Sequence, residues 1–264
     1  MAVITGASGG IGEAIAEQLA SRKKDLLLVA RSKEKLEAQC RLLRERHGIN
    51  AQYIAADLSQ PESAVKVFTE VRVRGLEVEM LVNNAGIGSS GEFSDQSLQS
   101  ELDLIQLNVS TLVSLTHLFL QQMQSRKYGT IVNIASMTAF MPVPYMAVYA
   151  ASKAFVRSFT EALTQECKPK GIHVMLFAPG LTRTNFNTAA GLDGVKARGL
   201  RSDHSQASQT PEEVAIELMR ALDKKRQSVV SGSRNRLGAK LLALLPNAMI
   251  TKNIASSYRK SLRL

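Results

Sequence analysis

The sequence predicts an α/β fold: a doubly wound parallel sheet of about seven strands in a single domain, followed by a C-terminal helical extension. Three observations predict it. Short apolar runs alternate with longer helical stretches along most of the chain. The apolar runs lack strict in–out alternation, so they read as strands buried on both faces beneath helices. A glycine-rich turn joins the first run to the first helix, the context in which such turns bind nucleotides. The length of 264 residues suits one α/β domain, and 45% hydrophobic residues supply a sizeable core and argue against disorder.

The first strand covers residues 2–5 and the first helix 11–21, where Ile11, Ile15 and Leu19 form a stripe at four-residue spacing. Further strands are expected at 26–30, 52–55, 80–83, 130–134, 172–177 and 228–230. Helices separate them at 33–46, 62–71, 98–124, 147–166 and 211–222. A Gly/Ser-rich turn at 86–91 follows the fourth strand, and a polar stretch at 182–209 follows the sixth. Ligands bind beyond the carboxyl ends of strands in open α/β sheets, so the longer stretch is a lid candidate. Residues 1–230 form the domain, and 231–264 a basic extension.

The formal net charge of +10 is unevenly placed. Of the 33 Lys and Arg, ten lie in 224–264, where there is no Asp or Glu; the other 23 balance the chain's 23 acids. A neutral body therefore carries a basic tail. In that tail Leu237, Leu241, Leu244 and Leu245 form one stripe, and Ile250, Ile254 and Tyr258 another beyond Pro246. Three readings stay open: a helix pair over a substrate pocket or dimer contact, peripheral attachment to anionic lipid, or an inert frayed end. Nucleic acid is excluded as partner, because no motif or stacking surface accompanies the charge. No apolar run approaches the ~18–20 residues that span a bilayer, and no signal peptide is expected, which suggests a cytoplasmic protein. Cys40 and Cys167 do not suggest a disulfide framework and read as inert helix thiols. His47, His117, His173 and His204 lack metal spacing, so no metal is expected; His117 reads as a packed or interface residue.

The loop Thr5-Gly6-Ala7-Ser8-Gly9-Gly10-Ile11-Gly12 leads from strand to helix. Its glycines permit a tight turn and close approach of backbone to a pyrophosphate, and the helix N-terminus supplies free N–H groups. At the end of the second strand an acid would bind the ribose 2′-OH of NAD. Arg31 stands there instead, with Ser32 and Lys33 behind it, and can pair with a 2′-phosphate. Asp25 precedes the strand, at the wrong side of the sheet. NADP(H) is therefore the expected cofactor.

Tyr149 and Lys153 are four residues apart and share a helix face. A free phenol, with a pKa of about 10, is a poor proton donor or acceptor near neutrality, and a nearby ammonium lowers that value. Ser136 follows the fifth strand and can donate to a substrate oxygen. Asn108 sits midway along the fourth helix, where Asn is a poor helix former, so a local distortion is expected.

The spacing of Gly6, Gly10 and Gly12 departs from G-x-G-x-x-G and resembles the TGxxxGxG loop of the short-chain dehydrogenase/reductase family, in its compact single-domain branch. The resemblance covers residues 1 to about 230 and implies a Rossmann-type sheet. It implies that Gly6, Ser8, Gly10, Ile11, Gly12, Arg31 and Ser32 bind cofactor, with Asp57 and Leu58 contacting adenine. Asn83-Asn84-Ala85-Gly86 resembles the family's NNAG motif, which would place Asn84, Ala85 and Gly86 beside the adenosine and ribose. Pro179-Gly180-Leu181-Thr182-Arg183-Thr184 looks like the PGxxxT turn, in which Thr184 would bind the nicotinamide carboxamide; Thr182 is a second candidate. Asn108, Ser136, Tyr149 and Lys153 match the catalytic tetrad, with Lys153 also holding the nicotinamide ribose and a carbonyl near Asn108 holding a relay water. Chains of this family usually carry a few residues before the first strand.

The expected activity is NADP(H)-dependent hydride transfer between nicotinamide and a carbonyl or secondary alcohol, in a homo-oligomer (dimer or tetramer). The apolar segment from Met137 to Met146, with Phe186 and Leu192 in the lid, suggests a bulky hydrophobic substrate. Two alternatives stand beside it: a membrane-associated reductase of ketoacyl or steroid-like lipids, and a non-catalytic NADP-sensing module.

Overall fold

The computed structural model describes residues 1–184, 186, 190, 208–242 and 244–262. Its sheet comprises β1 (Ala2–Thr5), β2 (Leu26–Ala30), β3 (Ala51–Ala55), β4 (Met80–Asn83), β5 (Gly129–Ile134), β6 (Ile172–Ala178) and β7 (Ser228–Val230). The spatial order is β3-β2-β1-β4-β5-β6-β7, with every pair parallel. All of β1 and β2 is buried, and successive residues face opposite ways. Ile4, Leu26 and Leu28 join the core cluster on one face; Val3, Leu27 and Val29 join the other. Burial on both faces explains the unbroken apolar runs in the sequence.

Helices α1 (Gly10–Ser21), α2 (Lys33–His47) and α7 (Pro211–Asp223) cover the first face. The second is covered by α3 (Ser63–Val73), α5 (Leu112–Arg126) and the end of α6 (Ala147–Cys167). Entry into α7 is fixed by a capping box: Thr210 Oγ1 accepts from the Glu213 N–H at 3.2 Å, and Glu213 Oε2 accepts from the Thr210 N–H at 2.8 Å. From β1 the chain winds outward in both directions, so the winding reverses between β1 and β4. A crevice for ligands opens there at the carboxyl ends of the strands.

The single helix expected at 98–124 is α4 (Leu98–Ile105), a π-helical turn at Gln106–Thr111, and then α5. The continuous run Leu98–Arg126 spans 29 residues and is long and apolar enough to cross a membrane, which corrects the expectation from apolar runs alone. Its apolar residues are spread among polar ones. Leu115, Phe119 and Met123 seat it on the sheet.

Two helices flank Pro246 in the C-terminal extension: α8 (Ser233–Leu242) and α9 (Asn247–Leu262). They divide the labour. On α9, Ile250 is 5% and Tyr258 1% exposed, whereas Leu237, Leu241 and Leu244 are 60, 54 and 81% exposed. Tyr258 packs with Leu104, Val143, Met146 and Tyr149, so α9 covers the end of the sheet that carries the catalytic candidates.

Candidate active site

The glycine loop lies against the end of β4. Gly6 (φ +66°) and Gly10 (φ +58°) take left-handed backbone. A Cβ on Gly6 would stand 2.9 Å from the Ala85 Cα, and one on Gly12 would collide with the Gly6 carbonyl oxygen and stand 2.6 Å from Asn84 Nδ2. Thr5 ties the two segments together. Its Oγ1 accepts from the N–H groups of Asn84 (3.0 Å) and Ala85 (2.9 Å), while Asn84 Nδ2 donates to the Thr5 carbonyl at 3.0 Å. No side chain caps α1 at Gly9, so its first N–H groups face the crevice, with Ser8 half-buried in the turn and Ile11 packed on the core. This cradle suits a pyrophosphate.

Arg31 is exposed at the end of β2, and Ser32 starts α2. Across the gap, Asp57 follows β3. Bonds from the Ser59 N–H (3.0 Å) and Oγ (2.8 Å) hold its carboxyl below the usual range, and the Arg31 charge adds to the effect. Leu58 is buried, and its carbonyl accepts from Thr111 Oγ1 at 2.7 Å. Asp25 lies at the opposite end of the sheet, accepting from the Asn50 N–H at 2.8 Å.

The π-helical turn supplies the distortion expected at Asn108. Its Oδ1 accepts from the Ile87 N–H at 3.0 Å, and its Nδ2 donates to the Ile87 carbonyl (2.9 Å) and Ser152 Oγ (3.1 Å). A Cβ on Gly86 would stand 3.0 Å from Asn108 Oδ1 and 3.3 Å from Lys153 Nζ, so all three meet at one point. Lys153 is buried and donates to the Ile134 carbonyl at 3.1 Å. Ser136 caps the short turn Met137–Phe140, and its hydroxyl and that of Thr138 lie close enough to the Tyr149 phenol to favour its ionised form. Phe186 stands 5.6 Å from the Tyr149 ring.

The expected lowering of the Tyr149 pKa by Lys153 is corrected. Burial pushes the phenol up, and the Ser136 and Thr138 hydroxyls pull it only partly back. Helical spacing brings the ammonium to 5.9 Å from the ring centroid, but its nitrogen is turned to the Ile134 carbonyl. Burial also pulls Lys153 down to about 8 from 10.5.

That last shift carries a stability cost. Between pH 8 and 10.5 the unfolded chain binds the lysine proton and the folded one does not, so stability rises with pH through this window. Below it the folded state carries a buried ammonium at a cost of roughly 3 kcal/mol, against about 1 kcal/mol for its hydrogen bond. Lys153→Met is therefore expected to raise the melting temperature at pH 7, with a gain that shrinks toward pH 10.5. Melting curves of the cofactor-free proteins check this; a pH-independent difference would refute it.

Beyond β6, Pro179 accepts from the Met137 N–H at 2.9 Å, which fixes the PGxxxT turn beside Ser136. Thr182 Oγ1 donates to the Gly180 carbonyl at 3.1 Å. The Thr184 methyl would lie 3.2 Å from a Cβ on Gly10, so this turn closes over the glycine loop. Most of the expected lid, 182–209, including Leu192 and His204, lies outside the described residues.

Asn83, the first residue of the NNAG motif, reaches supporting residues that carry no sequence signal. Asn83 Nδ2 donates to Thr116 Oγ1 and Asn133 Oδ1 (both 2.9 Å), and Asn133 Nδ2 to Thr160 Oγ1 (3.0 Å), forming a buried polar ladder under the site. His117 is exposed rather than packed, 3.1 Å from Gln121. Both cysteines are buried, which pushes their thiols up, Cys40 to about 11. Among the described residues no group of three or more His, Cys, Asp or Glu could hold a metal ion.

Residues 1–193 match the family model described as short chain dehydrogenase. The chain is 38% identical over 191 residues to a very-long-chain 3-oxoacyl-CoA reductase of Mus musculus, covering 70% of this chain and 60% of that protein. It thus spans about 60% of the length of that relative. It is 30% identical to a 7beta-hydroxysteroid dehydrogenase of Collinsella aerofaciens, covering 89% of this chain and 86% of that one. Among solved structures, a short-chain dehydrogenase from Sphingobium yanoikuyae in complex with NADPH superposes with a TM-score of 0.82 at 32% identity, covering 92% and 91% of the two chains.

Proposed function

Because the chain belongs to the short-chain dehydrogenase family, we propose that this oxidoreductase uses NADP(H) to interconvert a bulky apolar ketone and its secondary alcohol. One observation carries the reading: the buried Tyr149 phenol, beside the Ser136 hydroxyl, shares a crevice with Lys153, Asn108 and the glycine cradle. When bound, the nicotinamide supplies or takes up the hydride. Gly6, Ser8, Gly10, Ile11 and Gly12 would hold its pyrophosphate, Arg31 and Ser32 the 2′-phosphate, and Asp57 and Leu58 the adenine. Asn84, Ala85 and Gly86 would flank the ribose, and Pro179, Gly180, Thr182 and Thr184 the nicotinamide. The complex of the Sphingobium yanoikuyae structure with NADPH supports this choice.

Tyr149 gives its proton to the substrate oxygen during reduction and takes one during oxidation. Ser136 steadies that oxygen. Lys153 and Asn108 pass protons onward from Tyr149. Met141, Val143, Tyr145 and Met146, with Phe186, make the wall at Tyr149 apolar, which favours a bulky ketone. A panel of such ketones, assayed by NADPH oxidation, tests the reading. Tight NADPH binding without turnover of any ketone would favour the sensing module instead. Exposed Leu98, Leu102 and Ile105 on α4 and Phe155 on α6 support pairing of two copies across these packed helices.

A second reading concerns location. Leu237, Leu241, Leu244, Leu245 and Met249 leave apolar side chains in solvent within the segment that carries the whole charge excess. This combination suits the surface of an anionic bilayer. The full chain is expected to co-sediment with phosphatidylserine vesicles but not with neutral ones, and to be released by high salt. Leu241→Glu combined with Leu244→Glu should abolish the binding. Sedimentation indifferent to both charge and these leucines would sink the idea.

A further inference from the structure

Glu101 lies in α4, two turns before Asn108, and is only 4% exposed. Neither of its carboxylate oxygens has a hydrogen-bond partner among the described residues. Burying a carboxylate without donors or counter-charge costs several kcal/mol, so its oxygens call for donors from outside the chain. The side chain lines a cavity of about 380 Å³ with Ser89, Ser90, Glu92, Tyr145 and Val148 among its walls. Among the described residues no Lys, Arg or His lines this space, and Glu92 adds a second carboxylate.

The cavity borders the catalytic candidate. Tyr145 and Val148 are cavity walls and also pack in the cluster that contains Tyr149. Leu104, three residues beyond Glu101 on α4, is in the same cluster. The walls are held in place. Tyr145 adopts left-handed backbone (φ 65°), its carbonyl accepts from the Gly91 N–H at 2.8 Å, and its ring stacks on Tyr258 of α9 at 5.2 Å. Backbone strain at a non-glycine residue persists only where the surroundings over-determine it.

We propose that this cavity is a subsite for the end of the substrate remote from its carbonyl, and that Glu101 there accepts hydrogen bonds from a hydroxyl or ammonium group. Carboxylates and phosphates are turned away, because two carboxylates and, among the described residues, no base line the space. The assignment rests on the ketone-reductase reading above and adds to it which ketones are preferred.

The test uses ketones that share one apolar skeleton and end in a hydroxyl, ammonium, methyl or carboxylate group. In the wild-type enzyme with NADPH, the two donor-ended ketones are expected to exceed the methyl-ended one in kcat/KM by ~10–100-fold, with the carboxylate lowest. Glu101→Leu should bring donor and methyl within about twofold, and Glu101→Gln, which keeps one acceptor oxygen, should fall between. The ratio is taken within each protein, so a general loss of activity cancels. The same ratio is read from melting shifts caused by the corresponding alcohols. Binding that follows the donor rule without any turnover would refute the reductase reading and leave the subsite standing. A wild-type protein that ranks donor and methyl ends equally, or a Glu101→Leu protein that keeps the donor preference, overturns the proposal.

Discussion

Tyr149→Phe is expected to lower kcat for ketone reduction by about 10³-fold or more, while NADPH affinity stays within about threefold. The phenol is buried, and the ring packs against Phe186. A phenylalanine keeps this packing, so the fold survives and only the proton carrier is lost. Because burial raises the Tyr149 pKa, the phenol is protonated at neutral pH and ready to donate. Alcohol oxidation needs the opposite ionisation, so its rate should rise with pH while reduction does not. Steady-state kinetics in both directions, with NADPH binding followed by fluorescence, check the prediction. A variant that kept a tenth of wild-type turnover would rule Tyr149 out as the proton carrier.

Arg31→Ala is expected to raise the KM for NADPH by about 10–100-fold and to leave that for NADH nearly unchanged. The range follows from losing one charge-assisted contact to a phosphate, worth about 1.5–3 kcal/mol. Arg31 makes no hydrogen bond among the described residues and is exposed, so its charge is available to a ligand. Asp57, the acid that faces it, is held by Ser59. The NADPH advantage should also weaken with ionic strength, as exposed charge pairs do. Equal losses for both cofactors would show that Arg31 does not read the 2′-phosphate.

The fold was legible because its signals are local. A strand buried on both faces must be apolar throughout, as Leu26–Ala30 is. The turn between Thr5 and Gly12 needs glycine, because a Cβ would meet backbone. Asn108 announced itself as a residue unsuited to a helix interior, and a π-helical turn is found there. Asn83 stood in the NNAG motif, but the ladder it starts through Asn133 to Thr160 gave no such signal. Each member is an ordinary residue in an apolar strand or helix, and its meaning lies in partners 27 to 50 positions away.

The sequence by itself determined the order of elements, the glycine cradle, the basic residue at the end of β2 and the helical spacing of the proposed proton carrier Tyr149 and Lys153. Each of these follows from periodicity, steric demand or side-chain chemistry within a few residues. Tertiary structure alone decided three other matters. Tyr149 and Lys153 have four-residue spacing, but burial and the Ile134 carbonyl decide the direction of their pKa shifts. The two apolar stripes of the tail look alike in sequence; packing buries Ile250 and Tyr258 and leaves the leucines in solvent. Glu101 reads as a common helix acid until the neighbouring loops close around it. Local chemistry fixes what a side chain can do. The dielectric and the partners around it, assembled from distant parts of the chain, fix what it does.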